Sequence, residues 1–111
     1  IVLAGFSQGG AIAVQLALRY PEKLAGLIAL STYLLLEDKL VEEASEANRG
    51  LPVFAAHGTH DPMVPIQLGE MLAGKLRDMA YPLEWHSYPM PHAVCPDEIT
   101  DLSAWLRSRL D

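Results

Sequence analysis

The chain has almost no cysteine: Cys95 is the only one. A lone thiol has no intrachain partner, so no disulfide frame holds the fold, and a reducing compartment, the cytoplasm, is the expected setting. Positive charge is scarce as well. Eight Lys and Arg stand against 14 Asp and Glu, a net charge of −6. That balance speaks against nucleic acid or an anionic membrane surface as the main partner, because both reward basic residues. No apolar run approaches the roughly 18 residues needed to cross a bilayer, so no membrane span is expected. The chain has no initiator methionine and no signal-peptide pattern; Ile1 already reads as strand, and any targeting segment would lie upstream. Repeats, low-complexity tracts and linkers are missing too. What is left is an ordinary globular composition, 50% hydrophobic and 20% charged over 111 residues, which predicts one modest domain over 1–111.

Residues 1–6 are apolar on both faces and predict a strand buried in a sheet interior. A helix follows over 7–20 and is stopped by Pro21. Ala11, Ile12, Val14, Leu16, Ala17 and Leu18 make it apolar nearly all round, the pattern of a helix buried on several sides. A second buried strand is read over 24–30, a short acidic surface helix over 38–48 closed by Asn48-Arg49-Gly50, and a third strand over 52–56. Apolar residues at 68, 71, 72, 76 and 79 predict an amphipathic helix over 66–79. Residues 83–88 alternate, with Leu83, Trp85 and Ser87 on one side and Glu84, His86 and Tyr88 on the other: a fourth strand. Ile99, Leu102, Leu106 and Leu110 mark a last helix over 97–110. Strands alternating with helices at this spacing predict an α/β fold of four parallel strands with flanking helices and right-handed crossovers. In such sheets chemistry collects beyond the carboxyl ends of the strands. Ser7 and the loops 57–65 and 89–95 share that edge.

One joint between strand and helix carries a serine among glycines, "GFSQGG", which fits the nucleophile-elbow pattern G-x-S-x-G. A tight turn there holds Ser7 in a strained conformation with its side chain projecting, and brings the backbones of Gly5 and Gly9 close together. The turn opens a helix, so the N–H of Gln8 can serve an oxyanion. A Gly-rich βα turn with an N-cap serine reads equally well from the pattern alone. A dinucleotide-binding turn fits worse, since position 7 is not Gly and the next strand ends without an acidic residue.

An active serine needs a base and an acid to orient it, in the chain order Ser, Asp or Glu, His. Asp61 in "HGTHDPMVP" and His92 in "YPMPHAVCP" fall past the third and fourth strands in that order. His57 precedes the acid, His60 adjoins it and His86 lies within a strand; each reads as structural, and substituting any of them is expected to spare activity. His57, His60 and Asp61 are a candidate metal set, but no H-E-x-x-H helix supports one. The expected cofactor and metal are none.

"LAGFSQGGAIAVQLAL", "LIALSTYL", "VFAAHGTHDPMVP", "EWHSYPMPHAV" and "AWLRSRL" resemble the phospholipase/carboxylesterase family of α/β-hydrolases, which includes bacterial carboxylesterases and acyl-protein thioesterases. The resemblance implies Ser7 as nucleophile, Asp61 as acid, His92 as base and Gln8 as one oxyanion donor. It departs at Pro91, where the family commonly has Gly before the catalytic His. It also implies the C-terminal half of the fold, strands five to eight. The first four strands and the loop donating the second oxyanion N–H would lie upstream, and residues 1–6 would stand at a sheet edge. Leu34, Leu35 and Leu36 are candidates for an acyl pocket, for a homodimer contact or for core packing. Met63 and Met90 could touch an acyl chain or fill space. Trp85 and Trp105 read as core aromatics, Cys95 as a buried small residue, and residues 37–46 as a solvated acidic face.

The leading expectation is a serine carboxylic-ester hydrolase of carboxylesterase or thioesterase type, acting through an acyl-enzyme on a small-molecule or lipid-like ester. Two alternatives stay open: a serine peptidase of the same fold, and a non-catalytic binding module that keeps the elbow.

Overall fold

A computed structural model describes residues 1–35 and 42–110. Four strands, β1 (Val2–Phe6), β2 (Gly26–Leu30), β3 (Val53–Gly58) and β4 (Leu83–Tyr88), form a parallel sheet in chain order. Among the described residues, helices α1 (Gln8–Arg19), α2 (Ile66–Asp78) and α3 (Pro96–Leu110) flank it. α1 ends before Pro21, which cannot continue a helix. β3 runs two residues beyond its expected end because His57 and Gly58 still pair with Ser87 and Tyr88.

Side-chain alternation sorts the core into two layers. Leu27, Ala29, Val53 and Ala55 meet Val14, Ala17 and Leu18 of α1 and Leu72 and Leu76 of α2. Ile28, Phe54 and Ala56 point the other way, onto Trp105, Leu102 and Leu106 of α3. Helices that follow β1 and β3 share a face because each connection moves the sheet in the same direction with the same hand. Gly26 lets α3 sit close: a Cβ there would come 2.6 Å from the Trp105 ring.

Two expectations change. The segment expected as a helix over 38–48 lies partly outside the described residues, as does Leu36; within them, residues 42–43 are helical, and the expected helix does not continue to 48, since Glu46–Asn48 is a 3-10 turn. Asn48 is buried and brackets the chain before β2. Its Nδ2 donates to Tyr20 O at 3.0 Å and Glu22 O at 2.9 Å, and its Oδ1 accepts from Leu24 N at 2.8 Å. The first strand stands at the sheet edge, as the family resemblance implies and not in the sheet interior that its apolar pattern alone suggests; the several-sided burial expected of the first helix is not found among the described residues. β1 pairs on one side only, with β2, and Ile12 and Leu16 of α1 are 55% and 51% exposed. Ala11, Val14, Ala17 and Leu18 take the inner face of that helix and nothing described covers the outer one.

Candidate active site

At the end of β1 the chain turns sharply into α1 through Ser7, which has φ 56° and ψ −124°. A non-glycine residue rarely adopts that backbone and is strained in it by on the order of 1–3 kcal/mol. Three contacts hold the turn. Ser7 N donates to Leu30 O at 2.9 Å, Ala11 N donates to Ser7 O at 3.1 Å, and Thr32 Oγ1 donates to the same carbonyl at 2.6 Å. Gly5 is required for space: a Cβ would come 2.5 Å from the carbonyl carbon of Gly9 and closer to its oxygen. The second small residue is Gly10 rather than Gly9. A Cβ on Gly9 meets nothing within 4 Å, whereas one on Gly10 would lie 2.8 Å from Thr32 Cβ. Among the described residues, Gly9 therefore meets Gly5 through its backbone, and nothing crowds the place of its side chain. Gln8 opens α1, so its N–H precedes the intrahelical ladder and faces outward from the helix start.

Past β3, the loop 59–65 folds back so that Asp61 is buried. Its Oδ1 accepts from Met63 N at 2.9 Å and Val64 N at 2.8 Å. Its Oδ2 accepts from His92 Nδ1 at 2.6 Å. Burial pushes the Asp61 carboxyl up. The N–H of Val64, the His92 ring, the N–H of Met63 and the His92 charge together outweigh it, and hold the group below its ordinary 3.8. The carboxylate is thus the favoured form in spite of its burial.

His92 sits past β4 on a loop that hangs from the end of β3. Thr59 N donates to Tyr88 O at 2.8 Å and His60 N to Met90 O at 3.1 Å. Gly58 makes the passage possible: a Cβ would come 2.5 Å from Pro91 O and closer to Met90 O. Pro91 fits this path, with its carbonyl accepting from Ala93 N at 2.9 Å in a tight turn. With Nδ1–H given to Asp61, Nε2 is the acceptor, and Ser7 Oγ lies 2.9 Å from it. The Phe6 ring packs 4.7 Å from the imidazole, centroid to centroid. Ser7, Asp61 and His92 are therefore brought into one hydrogen-bonded line at the carboxyl edge of the sheet.

The other singled-out residues lie apart from that line or beneath it. His60 is exposed, and His86 on β4 pairs with Glu84 at 2.7 Å. His57 is buried under the Asp61 loop. Among the described residues no group of three or more His, Cys, Asp or Glu is placed to hold a metal ion. Leu34 is half-buried against the core under α1 and α2, while Met63 is 73% exposed; Met90 is buried in the α3 layer. Cys95 is half-buried rather than buried, since it borders the α3 layer without being enclosed by it. A cavity of about 420 Å³ lies elsewhere, at the start of β4, lined by Arg49, Lys75 and Tyr81 among others; Ser7, Asp61 and His92 do not line it. No described helix is long and apolar enough to cross a membrane. Thr32, Gly10 and Gly58 were not among the expected site residues. These partners lie 22 to 33 positions away (Thr32 for Gly10, Ser7 for Thr32, Met90 and Pro91 for Gly58), so no local pattern marks them.

A parallel sheet whose first strand turns through a strained serine into a helix, with an acid and a histidine at the ends of later strands, is the architecture of an α/β-hydrolase. More narrowly, the chain belongs to the phospholipase/carboxylesterase family, which it matches over residues 1–110. It is 44% identical over 124 aligned residues to acyl-protein thioesterase 1 of Cryptococcus neoformans, covering 99% of this chain and 52% of that protein. Identity to acyl-protein thioesterase 1 of Gibberella zeae is 40%, over 99% of this chain and 48% of that one. The crystal structure of Arabidopsis thaliana SOBER1 superposes with a TM-score of 0.91 at 28% identity, covering 99% of this chain and 53% of that one. The chain spans about half the length of the curated relatives it matches.

Proposed function

We propose that the chain supplies nucleophile, base and acid to a serine hydrolase that cleaves carboxylic esters or thioesters of small or lipid-like molecules through an acyl-enzyme. The observation that carries this is the unbroken line from Asp61 Oδ2 to His92 at 2.6 Å and from His92 to Ser7 Oγ at 2.9 Å. In this reading Ser7 Oγ attacks the carbonyl carbon while its proton passes to His92 Nε2. The carbonyl oxygen becomes an oxyanion and accepts a hydrogen bond from Gln8 N–H. His92 then protonates the departing alcohol or thiol, leaving the acyl group on Ser7. Water gives a proton to the same nitrogen, attacks the acyl carbon, and the released Ser7 alkoxide takes the proton back. Asp61 keeps the imidazole in its Nδ1–H tautomer and stabilises the imidazolium between these steps. Thioesters enter as substrates because the relatives above are named acyl-protein thioesterases.

The test is covalent. A fluorophosphonate incubated with the complete protein should label Ser7 and no other residue, read by mass spectrometry of the peptide that contains it. Labelling that survives Ser7→Ala would sink the proposal. Turnover of p-nitrophenyl esters without turnover of peptide anilides would separate the esterase from a peptidase of the same fold.

A further inference from the structure

His57 takes no part in that chemistry, yet it is 1% exposed and its surroundings are shaped to a ring. α2 crosses it at Gly69, where a Cβ would come 3.1 Å from the ring's Cγ and closer still to Nδ1. β4 lays Trp85 beside it, with ring centroids 6.5 Å apart. Neither of those neighbours titrates. The charged group that faces the ring is Asp61, whose Oδ2 is 3.6 Å from His57 Nε2, beyond hydrogen-bond reach. Nε2 goes instead to Val64 O, at 2.7 Å. A carbonyl can only accept, so Nε2 carries the proton and donates it. Val64 is also the residue whose own N–H donates to Asp61 Oδ1.

We propose that His57 is a positioning residue for the acid of the triad: a strut from β3 that holds Val64 so that one oxygen of Asp61 is pinned and the other points at His92. The proposal rests on the triad reading above. Its physical basis is the cost of the alternative. Val64 is buried, and without the imidazole its carbonyl would be an unpaired acceptor away from water, an unfavourable state. Pro65 follows and restricts rotation about Val64 ψ, so the carbonyl reaches water mainly by displacement of Val64 as a whole, and that displacement carries its N–H away from Asp61. Asp61 then keeps Met63 N–H but loses the second of its two Oδ1 donors. His57, expected from sequence to be dispensable, becomes part of the aim of the site.

Two amides separate this role from simple burial. Gln at position 57 can place an N–H where imidazole Nε2 stands, whereas the shorter Asn reaches only the place of Nδ1. His57→Gln and His57→Asn are made in the complete protein, with Ser7→Ala as reference. Rates on a p-nitrophenyl ester are expressed per site titrated to completion with fluorophosphonate, so that unfolded molecules drop out. His57→Asn should lower kcat on the order of ten- to a hundredfold with little change in KM. It should also move the acid side of the pH–rate profile to lower pH, because the imidazolium loses part of its carboxylate support. His57→Gln should recover most of both. Equal kcat for the two amides, or an unmoved acid limb in His57→Asn, overturns the proposal while leaving the triad intact. An active Ser7→Ala overturns the triad and the proposal together. One readout needs no variant: nitrogen-15 NMR of the unaltered protein should show His57 as the Nε2–H tautomer, and the Nδ1–H tautomer would refute the strut.

Discussion

Placing a single methyl group at Gly58 should cost catalysis far more than it costs stability. A Cβ there would stand 2.5 Å from Pro91 O, closer to Met90 O and 3.0 Å from Met90 C, where ordinary contact begins at 3.4 Å. The strand end is fixed by pairing to β4, so the loop carrying the two carbonyls must retreat by about 1 Å. His92 is the next residue and moves with it. A shift of that size stretches the 2.6 Å and 2.9 Å bonds of the imidazole past about 3.2 Å. Misplacement by about 1 Å lowers rates on the order of a hundredfold, equivalent to about 2.7 kcal/mol in the barrier. The assay is kcat on a p-nitrophenyl ester beside a thermal melt of the complete protein. Gly74→Ala is the matched control: its Cβ meets nothing within 4 Å, and it lies inside α2. Alanine there should leave kcat unchanged and raise stability by about 0.8–1 kcal/mol. A Gly58→Ala enzyme with kcat within about twofold of the parent would refute the reasoning, because the loop would then have another way round.

Ser7→Ala should abolish fluorophosphonate labelling and turnover. Asp61→Asn should leave the fold intact but lower kcat by several orders of magnitude by favouring the wrong imidazole tautomer; a mild Asp61→Asn effect in steady-state kinetics would remove the acid from the triad. Glu98→Gln should stabilise the protein at pH 7. Glu98 is 0% exposed and neither carboxyl oxygen has a hydrogen-bond partner among the described residues. Burial pushes its pKa up, and the nearby Cys95 N–H pulls back only in part. A raised folded pKa favours folding below the ordinary 4.5 and loses that contribution as pH rises through the folded value. The difference between Glu98→Gln and the parent in urea melts should therefore shrink as pH falls towards that value, and a gap that widened on acidification would contradict this. Ala80→Gly should also stabilise, by about 0.5–1 kcal/mol in the same melts. Ala80 has φ 67° after α2, where Tyr81 N donates to Leu76 O, a left-handed cap that glycine adopts without strain; a lower melting point would argue against it.

How far the sequence could be read depended on the distance between partners. β4 was legible to the residue because its signal is strictly local: Leu83 and Trp85 face one core layer and Tyr88 the other. The edge on which Ser7, Asp61 and His92 stand followed from the alternation of strands and helices alone. Asn48 was misread because its three partners lie 24 to 28 positions upstream, so nothing near it distinguishes a buried bracket from a surface cap. Gly9 and Gly10 are equally small in sequence, and the approach of Thr32 and of the Gly5 carbonyl sets Gly10 apart. The all-round apolar character of α1 reads as burial on several sides; among the described residues it is buried on one, and Ile12 and Leu16 face outward.

Ser7 and His92, which touch, are 85 positions apart in the chain, and this separation sets the order of events in time. Every strand pairing in the sheet is parallel and joins segments brought together by long crossovers, so little of it can form before much of the chain has collapsed. Helical segments such as α2 can form locally and early. Ser7 and His92 meet only when both ends of that assembly have closed. Reactivity of Ser7 is therefore a clock for the last stage of folding: after dilution from denaturant, helix signal should return first and covalent labelling should trail it.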